Sequence, residues 1–213
     1  MIINITNGDY LNAKLSKENE GEFFPFREAI IQGEVTQEVF SDEFIQNRAK
    51  SLGVSQDEYR QKSAPLFNFI TNHKSYKKLK LWFGKDTFCQ LNLLTLLALF
   101  EQINYDGEII LNLICDETGE VLQENVKIEL GQYFSIYKDV LISKQMPISL
   151  GVIEKRAIDL YFDYLSPNGK LINLVKENQN LSQNELVSLL LENTKEYGLS
   201  DLNIIELIER ASK

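Results

Sequence analysis

The sequence predicts an α/β protein in which a small, mostly parallel open sheet flanked by helices is followed by an all-helical C-terminal part. Three observations lead to this prediction. Short apolar runs alternate with segments of helical periodicity up to about residue 130. The run at 108–115 is almost continuously apolar, which is typical of a central strand in a parallel sheet. After Gly131, every periodic segment is helical.

The N-terminal segments carry strand and turn signals. Residues 2–6 are rich in β-branched side chains, and the residues at 7–9 are types that turn a chain at little conformational cost. Residues 22–26 form a second extended run, in which Pro25 lacks a backbone N–H group. The sequence therefore predicts two strands, with the second at an edge of the sheet or ending near Pro25.

Two amphipathic helices are predicted next. Apolar spacing indicates a helix over 36–51, with Thr36 as its cap. Arg48 falls on the polar face of this predicted helix and is expected to be solvated. A capping box at 55–58 opens another helix, which Pro65 should kink or end because it cannot donate a hydrogen bond.

The middle of the chain predicts a buried strand, helix and strand. Residues 79–83 are extended, and Asp86 is placed to cap a helix that runs to about Asn104. That helix is apolar nearly all round and must therefore be buried. The apolar strand at 108–115 follows, and residues 121–130 supply a further extended segment.

The C-terminal part predicts helices only. They cover residues 135–143, 149–165, 170–178, 182–197 and 200–211. A capping box at 182–185 and a C-cap at Gly198 indicate that the last two form a helical hairpin. We therefore expect an α/β domain over 1–130 and a helical C-terminal domain over 131–213.

Composition disfavours nucleic acid and membranes as partners. The 213 residues are 44% hydrophobic, enough for a substantial core, and the net charge of -9 repels phosphate backbones and anionic lipid. The one basic cluster is typical of a solvated loop or strand edge, and it comprises Lys74, Lys77, Lys78 and Lys80.

The targeting and cysteine patterns predict a soluble cytoplasmic protein. The N-terminus lacks a signal-peptide pattern, and the longest apolar stretch, residues 91–100, is too short to cross a bilayer. Cys89 and Cys115 give neither a disulfide framework nor a metal cluster, as expected in a reducing compartment.

Polar side chains follow each predicted parallel strand. In an open parallel sheet, ligands bind outside the carboxyl ends of the strands, so these side chains are expected to share one crevice. Trp82 would form one wall of this crevice, and Gln90 would offer a hydrogen-bonding side chain to a ligand. The residues that follow the strands are Asp9 after the first, Arg27 and Glu28 after the second, Asp86 after the third, and Asp116 and Glu117 after the fourth.

Each candidate also has a purely structural interpretation. Asp86 is a natural helix N-cap, and Arg27 could form an ion pair with Asp9 or Asp86. Trp82 could pack in the core, and Gln90 could bond to a neighbouring backbone.

The chain offers few groups for catalysis. His73 is the only histidine, no dinucleotide fingerprint or P-loop occurs, and Cys89 is typical of a small buried hydrophobe. A magnesium site built from carboxylates is chemically possible but is not predicted by such long spacing; its ligands would be Asp9, Glu28, Asp86 and Asp116. We therefore predict no metal site, and the sequence leaves the catalytic residues and any cofactor undetermined.

Four motifs stand out along the first half of the chain: NGD at 7–9, REAIIQG at 27–33, Arg48, and LWFGKDTFCQ at 81–90. In these motifs the chain resembles a bacterial family catalogued as domain of unknown function 1835, over roughly residues 2–115. The resemblance confers no activity. It implies that a helical portion follows and that the six candidates, Asp9, Arg27, Glu28, Trp82, Asp86 and Gln90, belong to motifs.

Two functions remain open from the sequence. The first is binding of a small polar or phosphorylated ligand, such as a nucleotide, at the strand ends, with or without catalysis. The second is a non-catalytic regulatory or interaction module, in which the C-terminal helices engage a protein partner or a second copy. Apolar positions that could face such a partner are also spaced for a helical core, and they are Leu186, Leu189, Leu190, Ile204, Leu207 and Ile208.

Overall fold

A computed structural model describes residues 2–115 and 118–211 of the chain. Within them, a five-stranded, mostly parallel open sheet is flanked by helices, and only helices follow it, so the predicted fold class is confirmed. The strands are β1 (Ile2–Asn7), β2 (Glu22–Phe26), β3 (Lys78–Phe83), β4 (Glu108–Ile114) and β5 (Val121–Ile128).

The strand order is β2-β1-β3-β4-β5. The first four strands run parallel, and β5 pairs antiparallel with β4 at one edge. At the other edge lies β2, as the missing donor of Pro25 predicted. The chain moves from β1 outward to β2 and then crosses to β3 on the opposite side of β1, so the order of the strands reverses between β1 and β3.

Ten α-helices, one short 3₁₀ turn and one π-helical segment occur in the described part of the chain, and none of its helices is long and apolar enough to cross a bilayer. The helices are α1 (Asp9–Leu15), α2 (Asp42–Ser51), α3 (Gln56–Lys62), α4 (Ala64–Asn72), α5 (Thr87–Gln102), α6 (Tyr133–Tyr137), α7 (Lys155–Leu165), α8 (Lys170–Glu177), α9 (Gln183–Asn193) and α10 (Asp201–Ala211). The π-helical segment, Lys138–Ile142, directly continues α6.

The predicted start of α2 at Thr36 is wrong. Phe40 adopts a left-handed backbone with φ of 59°, which stops a right-handed helix from passing through it. Ser41 is the true N-cap, and its hydroxyl accepts from the Phe44 N–H at 3.1 Å. The Thr36 hydroxyl instead donates to the Glu38 carbonyl at 2.8 Å within a turn.

Helix α5 lies between the sheet and the C-terminal helices, which explains its apolar surface. It packs against β1 and β3 on one side and against α6 and α7 on the other. One hydrophobic core therefore includes residues from both predicted domains, such as Leu81, Leu94, Tyr137 and Ile158. The predicted domain boundary at residue 130 implies that the two parts fold independently. That boundary stays a prediction.

Helix α1 covers the opposite face of the sheet. Its Leu11 and Leu15 pack with Trp82 and Ile114 in a small separate cluster. Because side chains alternate along a strand, Trp82 faces α1 while Leu81 and Phe83 face the main core.

Candidate functional site

A cavity of about 580 Å³ opens at the carboxyl ends of β1 and β2. The parallel register aligns Asn7 with Phe26, so the loops that leave both strands begin at the same edge. Helices α1, α3 and α5 complete the walls. The lining residues are Gly8, Asp9, Phe26, Arg27, Glu28, Gln61, Lys62 and Phe88. The structure thus brings three of the six predicted residues, Asp9, Arg27 and Glu28, to one cavity.

At the rim of this cavity, Arg27 forms an ion pair with Asp9. Its Nε lies 3.0 Å from both carboxylate oxygens, and its Nη2 lies 2.8 Å from Oδ1. Its Nη1 donates to the Lys62 carbonyl at 2.6 Å. A guanidinium has five N–H groups, so one on each terminal nitrogen has no acceptor among the described residues. The side chains of Arg27 and Asp9 remain 35% and 69% exposed.

Beneath the rim, the carboxylate of Glu28 is buried with Arg48, and their side chains are 2% and 0% exposed. Arg48 Nε donates to Glu28 Oε2 at 2.9 Å, and the terminal nitrogens of Arg48 donate to the Gln32 and Ala29 carbonyls at 2.6 and 2.8 Å. The Tyr59 hydroxyl donates to the other Glu28 oxygen. Every oxygen of this carboxylate therefore already has a protein donor.

The environment of Tyr59 keeps its hydroxyl protonated. Burial raises the pKa of Tyr59 far above its usual range, and the negative charge of Glu28 raises it further. Arg48 acts in the opposite direction but more weakly. The phenol is thus a fixed hydrogen-bond donor to Glu28 at neutral pH.

The prediction that Arg48 is solvated is wrong. Arg48 lies on the same face of α2 as Phe44, Ile45 and Ala49, all of which are buried. The i, i+3 and i+4 spacing of these residues carried the signal, because it places position 48 on the apolar face. A guanidinium there requires a buried partner, and Glu28 supplies it.

Asn92, which the sequence prediction missed, joins the ends of β1 and β2. It is fully buried in α5, and its amide donates to Asn7 Oδ1 at 2.8 Å and to the Glu28 carbonyl at 2.7 Å. Its oxygen accepts from the Ile30 N–H at 3.2 Å. The available signal was a polar side chain within an apolar helix, which needs partners when buried.

Asp86 is the N-cap of α5, which is the structural interpretation that the sequence offered for it. Its Oδ1 accepts from the Cys89 N–H at 2.9 Å. Asp86 does not line the strand-end cavity, but it borders a smaller recess of about 250 Å³ that shares Phe88 with it.

Gln90 is fully buried, and both ends of its amide have protein partners. Its Nε2 donates to the Gly84 carbonyl at 2.6 Å, and its Oε1 accepts from the Glu154 N–H at 3.0 Å. Gln90 thereby ties the turn after β3 to the start of α7. The structure places it away from the strand-end cavity.

The N-terminus of α5 is covered by the turn at 194–198. The N–H groups of Thr87 and Phe88 donate to the carbonyls of Glu196 and Tyr197 at 2.9 and 3.1 Å. Gly198 has φ of 67°, and a Cβ atom there would overlap the Asp86 carboxylate. A helix N-terminus can bind an anion through its unpaired N–H groups, but here the protein itself occupies them.

Trp82 lies on the α1 face of the sheet rather than in the strand-end cavity. Its indole N–H donates to Asn4 Oδ1 at 3.0 Å, and its ring packs with Leu11, Leu15 and Ile114. This position matches the core-packing interpretation of Trp82.

Two further predictions concern the residues that follow β4 and a possible metal site built from carboxylates. Asp116 and Glu117 lie outside the described residues. Within 2–115 and 118–211, no three His, Cys, Asp or Glu side chains are grouped so that they could hold a metal ion.

No protein-family model matches the chain, and no curated protein matches it at a significant level. The resemblance to the family of unknown function stays a prediction.

Proposed function

We propose that the strand-end cavity binds a small polar ligand that carries one phosphate or carboxylate group. Sugar phosphates and nucleoside monophosphates belong to this class. The observation that carries the proposal is the arrangement of Arg27, whose guanidinium is fixed by Asp9 and the Lys62 carbonyl while one N–H on each terminal nitrogen has no described acceptor. A pre-positioned guanidinium binds an anion without first losing side-chain freedom.

The charge of the lining favours one anionic group rather than a polyphosphate. Arg27 and Lys62 contribute two positive charges, and Asp9 contributes one negative charge. Glu28 is balanced by Arg48 behind it. Lys62 is paired with Glu58 at 2.9 Å, so the lining is close to neutral, which suits a single phosphate or carboxylate better than a polyphosphate.

The position of the anion follows from the covered N-terminus of α5. In many open α/β sheets a phosphate binds at a helix N-terminus next to the point where the strand order reverses. Here the first N–H groups of α5 bind Glu196 and Tyr197. Arg27 lines the cavity at this edge of the sheet and offers N–H groups to an anion.

The second function predicted from sequence, an interaction module on the C-terminal helices, has less support. Of the six apolar positions that could face a partner, four are buried, and the other two are half-buried. The buried four are Leu186, Leu190, Ile204 and Leu207. These positions serve the core of the protein.

A thermal-shift screen tests the proposed function. The panel contains sugar phosphates, nucleoside monophosphates and small carboxylic acids. A ligand present at about 100 times its Kd stabilises the folded state by about 2.7 kcal/mol, which should raise the Tm by about 5–10 °C in a chain of this size. Arg27→Gln should abolish that shift.

The matched control is Arg60→Gln. Arg60 also forms an exposed ion pair, with Asp42, but it does not line the cavity. Arg60→Gln should keep the full shift. The proposal fails if no compound of the panel raises the Tm of the wild type, or if Arg27→Gln responds as the wild type does.

A further inference from the structure

We propose that a second cavity, between the C-terminal helices and the loop after β2, binds a small organic anion through Lys144 and Arg210. This cavity has a volume of about 460 Å³. Its walls come from the segment at 31–35, the end of the π-helical segment, α7 and α10. It shares no lining residue with the strand-end cavity.

Two tyrosines of α7 each hold one of the two cations that line this cavity. Lys144 Nζ donates to the Tyr161 hydroxyl at 2.7 Å and to the Leu141 carbonyl at 2.8 Å, and it lies 5.1 Å from the Tyr161 ring centroid. Arg210 Nη2 donates to the Tyr164 carbonyl at 2.9 Å, and its Cζ lies 5.0 Å from the Tyr164 ring centroid. Since Tyr161 and Tyr164 are one helical turn apart, both cations lie along one helix face.

Neither cation forms an ion pair with a carboxylate in the described part of the chain. Of the five arginines in the sequence, the other four each form an ion pair: Arg27, Arg48, Arg60 and Arg156. Glu206 precedes Arg210 by one turn of α10 and lines the same cavity, yet the two form no ion pair.

The backbone conformation and the burial of Lys144 also favour a bound anion at this position. Lys144 has φ of 53°, a left-handed conformation that non-glycine residues seldom adopt. Burial lowers the pKa of Lys144 below its usual range, although Glu34 acts in the opposite direction. An ammonium group that has lost part of its water gains more from a bound anion than a fully solvated one does.

The acidic residues of the cavity restrict the ligand. Glu34 and Glu206 both line it, so its two positive charges are matched by two negative charges. A polyanion would be repelled. The ligand class is therefore a small molecule with one carboxylate or phosphate group, whose polar body can accept or donate hydrogen bonds near the two glutamates.

The test is an NMR titration of the isotope-labelled full chain, with inorganic phosphate and acetate as separate probes. The signal of the Arg210 Nε–H group should shift and saturate with at least one probe, and the stronger probe distinguishes a phosphate site from a carboxylate site. Lys144→Gln should weaken this binding by about fivefold or more, as expected for the loss of a charge-assisted hydrogen bond. Arg27 has its own signal, which separates this cavity from the strand-end cavity.

Arg156→Gln is the matched control, because Arg156 is an exposed α7 arginine that pairs with Glu196 and does not line this cavity. It should leave the affinity at Arg210 unchanged. The wild-type titration does not depend on how any variant folds. The inference is overturned if the Arg210 signal responds to neither probe, or if Lys144→Gln binds as tightly as the wild type.

Discussion

Arg27 and Glu28 are neighbours in the chain, yet they belong to two different ion pairs with opposite environments. Arg27 pairs with Asp9 at the exposed rim of the strand-end cavity, and Glu28 pairs with Arg48 beneath it. The rim pair keeps N–H groups that a ligand can use. The buried pair has its carboxylate oxygens occupied by Arg48 and Tyr59. Burial therefore separates Arg27, which we propose binds the ligand, from Glu28, which supports the structure.

The two pairs should also differ in their effect on stability. An exposed ion pair contributes about 0–1 kcal/mol, because water and salt screen it and two side chains lose freedom. A buried pair that loses one member leaves a charge without compensation in a medium of low polarity. Substitutions in the two pairs thus measure the difference directly.

The largest effect is expected from Glu28→Ala, which should lower the free energy of unfolding by about 3–5 kcal/mol. The substitution leaves Arg48 buried without its carboxylate and Tyr59 without its acceptor. Denaturant unfolding followed by circular dichroism measures the loss. Asp9→Ala, the matched change in the exposed pair, should cost less than about 1 kcal/mol.

Adding Arg48→Met to Glu28→Ala should recover part of the lost stability, since it removes the uncompensated charge. A double variant no more stable than Glu28→Ala would mean that the cavity left by the side chain, rather than the charge, dominates. Equal losses for Glu28→Ala and Asp9→Ala would contradict the distinction between the two pairs.

A smaller loss, about 2–3 kcal/mol, is expected for Asn92→Ala. The half-buried Asn7 Oδ1, the Glu28 carbonyl and the Ile30 N–H would each lose a partner. Asn72→Ala is the control, because Asn72 is exposed and bonds only within its own helix turn; it should change stability by less than about 0.5 kcal/mol. Similar values for both variants would show that Asn92 does not hold the strand ends together.

The smallest of the three losses is expected for Tyr59→Phe, about 1–2 kcal/mol near neutral pH. The pKa of Tyr59 is higher in the folded protein than the ordinary value of about 10, so its stabilising effect is fully present below about pH 10 and is lost as pH rises further. The stability difference between wild type and Tyr59→Phe should therefore stay constant up to about pH 9 and shrink as the pH rises to about 11. A constant difference up to about pH 11 would show that burial and Glu28 do not raise the pKa of Tyr59.

Much of the fold was predictable because its signals are local. The turn at 7–9, the edge position of Pro25 and the Asp86 cap all depend on residues within a few positions of each other, and all three are present. The start of α2 was not predictable in this way. It depends on the left-handed backbone of Phe40, which propensity disfavours.

The candidate site was predictable only in part, because its partners come from distant segments. The grouping of Asp9 with Arg27 and Glu28 follows from parallel strands that end at one edge. The side chain of Glu28 points into the protein because it pairs with Arg48, twenty residues later. The carbonyl groups that cover the N-terminus of α5 belong to Glu196 and Tyr197, more than a hundred residues later in the chain. Neither contact leaves a local pattern.

A crystal structure of the protein with the strongest ligand of the thermal-shift panel tests the central claim most directly. We predict that the anionic group lies on the two remaining N–H groups of Arg27, with the ion pair between Arg48 and Glu28 unbroken. Density for the anion at the N-terminus of α5, or a ligand that displaces Arg48 from Glu28, would contradict the account.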